Sequence, residues 1–167
     1  MPQSVLIVMG SDSDLEQLTP AWKVLDSLKV QYDVTVASAH RSPDRVVALA
    51  RGARDKGYGV VLAAAGGAAH LAGVIAAHTT LPVVAVPMVV GSLGGVDALL
   101  SAVQMPPGIP LASVGIGGAR NAGYFAAAIL AATDPELAGR LEAFRVEQTK
   151  NVEAADARVQ EKLRTKA

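Results

Sequence analysis

Val5-Leu6-Ile7-Val8-Met9-Gly10-Ser11-Asp12-Ser13-Asp14 runs from five apolar residues through a glycine into hydroxyls and carboxylates, and then into a spaced stripe of Leu15, Leu18, Trp22, Leu25 and Leu28. An apolar run without alternation suits a strand covered on both faces. A 3.6-residue stripe suits a helix laid across the sheet. The unit recurs along the chain: strands are expected at 33–37, 59–64, 83–86 and 111–114, and helices at 14–28, 43–56, 68–78, 95–103 and 119–132. Alternation of this kind is the mark of βα units around a parallel sheet.

Five strands with right-handed crossovers predict an α/β fold, a three-layer α/β/α sandwich whose five-stranded parallel sheet has the flavodoxin-like order 2-1-3-4-5. In such sheets ligands bind beyond the carboxyl ends of the strands. Nine of the 16 glycines directly follow predicted strands and fall on that edge: Gly10, Gly66, Gly67, Gly91, Gly94, Gly95, Gly115, Gly117 and Gly118. Residues 1–133 form the predicted α/β domain, and residues 134–167 a charged helical extension of it. Asp134-Pro135 reads as an N-cap with proline in the first turn. The thin stripe of Val152, Ala155, Val159 and Leu163 is expected to be helical only against another surface.

The composition excludes several functions. The 167 residues are 51% hydrophobic but only 4% aromatic and 18% charged, with 15 basic and 15 acidic side chains. Balanced charge and few rings argue against a nucleic-acid partner. The apolar runs are too short to span a bilayer, and no basic-apolar-small leader opens the sequence, so a cytoplasmic, membrane-free protein is expected. With no cysteine, thiolate chemistry is impossible. His70 and His78 are eight apart, which does not align two metal ligands on a helix, so no metal site is expected.

Three segments on the ligand edge carry candidate chemistry. Gly10-Ser11-Asp12-Ser13-Asp14 suits either an ordinary helix cap or a phosphate cradle of backbone N–H groups and hydroxyls. Ser38-Ala39-His40-Arg41-Ser42-Pro43 places a group that titrates near neutrality beside a guanidinium able to grip phosphate. Ala65-Gly66-Gly67-Ala68-Ala69-His70-Leu71 would wall a small dry pocket, though its composition alone favours tight helix-on-strand packing. A fourth glycine-rich segment, 94–108, and a fifth, 115–122, follow strands four and five. The fifth lacks the acidic ribose-binding residue of a dinucleotide site, and no cofactor is expected.

Together, GSDSD at 10–14, SAHRSP at 38–43, AGGAAHL at 65–71, VDALLSAVQMPPGIP at 96–110 and ARNAGY at 119–124 resemble the class I N5-carboxyaminoimidazole ribonucleotide mutases of purine synthesis. The resemblance runs from strand one to about Leu141. It implies a mutase that moves a carboxylate from the exocyclic nitrogen of a 5-aminoimidazole ribonucleotide to ring carbon C4. It also implies that His40 is the acid-base group, that Ser11 and Arg41 hold the 5'-phosphate, and that Asp14 accepts from the ribose diol. Ser38, Ala39, Ala65, Gly66, His70 and Leu71 would line the site. A homo-octamer, and coupling to the ATP-dependent synthetase that makes the substrate, are further implications. Ala64, Ala72, Leu15 and Pro107 depart from the common family pattern, but none replaces a proposed catalytic group.

Two rivals are less well supported by the residues. Enzymes that carboxylate aminoimidazole ribonucleotide directly with CO₂ typically carry lysine after the histidine of the SAH motif, where this chain has Arg41. A receiver or flavin-binding module would need an aspartate ending strand three, or aromatic rings beyond the strands, and neither is present.

Overall fold

The computed structural model describes residues 3–165. Strands β1 (Ser4–Met9), β2 (Tyr32–Val36), β3 (Tyr58–Ala65), β4 (Val83–Pro87) and β5 (Ala112–Ser113) pair in parallel in the order β2-β1-β3-β4-β5. This is the flavodoxin-like order the sequence implies. Helices α1 (Leu15–Ser27) and α5 (Ala119–Ala131) cover one face, while α2 (Pro43–Gly52) and α3 (Leu71–Ala76) cover the other. Helix α4 (Val96–Val103) follows β4, and α6 (Pro135–Arg164) closes the described chain.

Two apolar layers make the core. Val5, Ile7, Met9, Leu62, Val84 and Val86 point toward α1 and α5, whereas Leu6, Val8, Val61, Ala63, Val83 and Ala85 point toward α2 and α3. Adjacent residues of one strand serve opposite layers because a strand's side chains alternate. Helices α1 and α5 approach so closely at Gly123 that an added Cβ would lie 2.5 Å from the Ala21 carbonyl oxygen.

Several expected boundaries move. Strand β2 is an edge strand with Asp33, Val34 and Val36 exposed, so it is not covered on both faces as its apolar content suggested. Helix α2 stops at Gly52, where a turn runs through Gly57 at φ +86° into β3. Helix α3 is limited to six residues because the preceding Gly66-Gly67-Ala68 forms a turn, with His70 N–H donating to the Ala68 carbonyl at 2.8 Å. Strand β5 shrinks to two residues between the Pro106 to Pro110 turn and Gly115.

The extension is one long helix. Asp134 caps α6 by accepting from the Leu137 N–H at 3.0 Å. Near its start the helix is anchored: Leu137 is buried, Phe144 stacks on Tyr124 with ring centroids 4.4 Å apart, and Arg140 donates to the Leu28 carbonyl at 2.8 Å. Beyond that it continues unbroken to Arg164 with Val146, Val152, Val159 and Leu163 exposed. Its last turns are thus helical with no surface of this chain beneath them.

Candidate functional site

The ends of β1, β2 and β3 converge on a cavity of about 320 Å³. It is lined by all ten residues singled out from sequence: Ser11, Asp14, Ser38, Ala39, His40, Arg41, Ala65, Gly66, His70 and Leu71. They come from three turns distant in sequence, assembled because parallel strands end on the same edge. Gly10, Ser13, Gly67, Ala68 and Val90 complete the lining. Val90 arrives from the segment after β4 and no motif marks it; it closes over Gly66, where a Cβ would meet its Cγ2 at 2.5 Å.

The first turn forms a helix cap. Ser11 Oγ accepts from the Ser13 N–H at 3.3 Å, and Asp14 Oδ2 accepts from the Ser11 N–H at 3.2 Å. Two backbone donors are therefore spent on a capping box, and the hydroxyls are also engaged within the turn, Ser13 Oγ donating to Ser11 Oγ at 2.9 Å and Ser11 Oγ to Asp12 Oδ1 at 3.2 Å. The Asp14 carboxyl is buried, and burial raises its pKa above the ordinary 3.8; the Ser11 hydrogen bond and the charge of Arg41 oppose that shift. Its Oδ1 receives no hydrogen bond among the described residues.

The second turn is held by reciprocal bonds. Ser38 N–H donates to Ser42 Oγ at 2.9 Å, and Ser42 N–H to the Ser38 carbonyl at 2.9 Å. This places Arg41 across the mouth of β1, its guanidinium donating to the Gly10 carbonyl at 2.9 Å. Ser11, Ser38 and Arg41 also border an adjoining recess of about 250 Å³ shared with Ser42.

His40 leans into the cavity toward the third turn. Its Nε2 lies 2.8 Å from Nδ1 of His70, and the rings meet edge to face at 85° with centroids 4.9 Å apart. Nothing in the spacing of 30 residues announces this contact. It arises because β1 separates β2 from β3 by one strand, so turns after β2 and β3 face each other across Gly10.

The remaining glycine-rich segments do not reach this cavity within one chain. Gly95, at φ +91°, packs against Met88 and Ile116, and Gly117 N–H donates to the Pro87 carbonyl at 2.8 Å. They tie the turns after β4 and β5 to each other. A wider recess of about 830 Å³, at the opposite edge, holds His78, Arg51 and Arg54 with Gly108, Ile109 and Pro110, but none of the ten candidate site residues.

Known proteins are similar to this chain in sequence and fold. The pattern of the AIR carboxylase family, described as AIR carboxylase, matches residues 4–151. A Pyrococcus abyssi protein named N5-carboxyaminoimidazole ribonucleotide mutase is 52% identical over 145 residues, covering 87% of this chain and 83% of the relative. A Brucella melitensis protein of the same name is 50% identical over 154 residues, covering 91% and 95%. The crystal structure of Treponema denticola PurE superposes with a TM-score of 0.84 at 26% identity, covering 93% of this chain and 98% of that one. With the sheet order, the three converging turns and identity over nearly the whole length in agreement, the chain belongs to the AIR carboxylase family.

Proposed function

We propose that this chain is an N5-carboxyaminoimidazole ribonucleotide mutase, an isomerase that converts its substrate to 4-carboxy-5-aminoimidazole ribonucleotide in purine synthesis. The observation that carries this reading is the meeting of His40, Arg41, Ser11 and Asp14 around one cavity in a chain half identical to mutases over most of its length. Arg41 offers positive charge to the 5'-phosphate, where a guanidinium can bind two oxygens at once, and the Ser11 hydroxyl would donate to it by turning away from Asp12 Oδ1. The free Oδ1 of Asp14 is an acceptor suited to a ribose hydroxyl.

In the reaction the bond between the exocyclic nitrogen and its carboxylate breaks, and the nitrogen takes a proton from His40. The CO₂ released stays in the cavity and bonds to C4. His40 then removes the C4 proton, so no proton is consumed overall and one group serves as acid and then as base. The Ala65-Gly66-Gly67-Ala68 wall, closed by Val90, lines a space with few groups that would hold water around the CO₂. Arg41 in place of lysine favours this mutase over direct use of CO₂.

Eight copies of the chain, working in the cytoplasm and coupled to the synthetase that supplies the substrate, complete the proposal. The exposed apolar side chains of Val89, Leu93, Val96, Leu100 and Val103 support assembly. Among the described residues no helix is long and apolar enough to cross a membrane.

Turnover of N5-carboxyaminoimidazole ribonucleotide by the parent and His40→Asn tests the central claim. The variant should still bind the ribonucleotide while losing about 10²–10⁴ in kcat. Undiminished turnover removes His40 from the mechanism, and efficient use of aminoimidazole ribonucleotide with bicarbonate alone overturns the mutase assignment.

A further inference from the structure

The contact between His40 Nε2 and His70 Nδ1 is 2.8 Å long, which requires one proton and one lone pair between the rings. It leaves Nδ1 as the nitrogen of His40 that is not engaged by His70. Resting on the reading of His40 as the acid-base group, we propose that His70 is a positioning residue: its Nδ1 accepts a hydrogen bond from His40 Nε2–H throughout the cycle, making His40 Nδ1 the atom that exchanges the proton with substrate.

The direction of this bond follows from what the cycle needs. A group that gives a proton and later takes one back at a single nitrogen must keep its other nitrogen protonated in both states. Were His70 the donor, Nε2 of His40 would be a lone pair, and neutral His40 would carry its proton on Nδ1 with nothing there to accept a second. With His70 as acceptor, His40 gives its Nδ1 proton, remains neutral with Nε2–H held in place, and recovers the proton at Nδ1 later. The tautomer of one ring nitrogen is set by the hydrogen bond of the other. No other co-reactant enters, and the proton count closes.

The backbone under both rings is fixed. His70 is tied by its own N–H to the Ala68 carbonyl and by its carbonyl to the Val74 N–H at 3.0 Å, with Leu71 buried behind it. His40 sits inside the Ser38–Ser42 turn. The edge-to-face rings aim the N–H of one at the in-plane lone pair of the other.

The test compares His70→Leu and His70→Asn with the parent, using steady-state kinetics and ¹⁵N-histidine NMR of the unliganded proteins. His70→Leu should lower kcat by about 10–100-fold with KM within about threefold, as expected when the partner that orients a reactive ring is lost. His70→Asn, whose amide oxygen stands where Nδ1 does, should recover most of that rate. The NMR spectrum of the parent should show neutral His40 protonated on Nε2, and His70→Leu should show a mixture of tautomers. Parental kcat in His70→Leu, a rise in KM alone, no recovery in His70→Asn, or a parent His40 protonated on Nδ1 each overturns the proposal. Full activity of His40→Asn would instead defeat the reading beneath it, while the NMR result stands independently of turnover.

Discussion

Asp14 shows how a single residue is pulled between stability and ligand binding. Its carboxylate is buried at the floor of the first turn, where loss of water outweighs the help from Ser11 N–H and Arg41 and raises its pKa. A raised carboxyl pKa means that the folded state holds its proton more tightly than the unfolded chain does. The stability it confers is therefore complete below 3.8 and lost as pH rises through the folded value. Asp14→Asn keeps the shape and one acceptor for the cap but carries no charge. We expect its Tm to exceed the parent's at pH 7 and the difference to vanish near pH 3.5, while affinity for the ribonucleotide falls at least tenfold. Thermal melts across that range and a binding titration read both effects. The motif GSDSD announced this residue, yet which of its oxygens takes part in the cap was decided by geometry: Oδ2 accepts from the Ser11 N–H and Oδ1 is left over.

Among the elements, glycine carries a comparable weight where two helices meet. Gly123 of α5 lies against the backbone of α1, with Ala21 O and Val24 Cβ at 2.5 and 3.0 Å from any added Cβ. Gly139 of α6 has nothing within 4 Å. Alanine gains roughly 1 kcal/mol over glycine inside a helix, whereas overpacking a tight contact costs about 1–3 kcal/mol. Gly123→Ala should therefore lower Tm by a few degrees, because the two helices must part, and Gly139→Ala should hold or raise it. Calorimetry of the two variants side by side checks this. The elements themselves were largely legible: the period-3.6 stripe of α1 and the unbroken apolar runs of β1, β3 and β4 each describe one environment. The exposed β2 was not, because a strand's apolar content does not say whether it sits inside the sheet or at its edge.

At the scale of the whole molecule, apolar surface and protruding length point the same way. Val89, Val90, Leu93, Val96, Leu100 and Val103 are exposed along one region, and Phe125 is 43% exposed on the outer side of α5. Helix α6 spans about 45 Å at the usual rise, and most of that length lies beyond its anchors at Leu137, Arg140 and Phe144. Native mass spectrometry should give a mass of about eight chains, consistent with the assembly proposed above. A chain ending after Arg145 should still fold, because Leu137 and the Tyr124–Phe144 stack remain, and should give a smaller assembly if the exposed stripe of α6 joins copies. A stable monomer at micromolar concentration would remove the octamer from the proposal.

Local sequence determined the βα repeats, the sheet order they permit, the caps at Ser11 and Asp134 and the three turns that hold the candidate site. These depend on periodicity, on turn chemistry and on the handedness of crossovers, all of which are properties of short stretches. Tertiary structure alone decided which groups of those turns remain free. It brought His40 against His70, closed the pocket with an unmarked Val90, spent two N–H groups on the Ser11–Asp14 capping box and tied Gly117 of the turn after β5 to Pro87. The reason is physical: a hydrogen bond or a close contact between distant segments depends on distances of a few tenths of an ångström, which are set by how strands and helices pack and leave no period in the sequence.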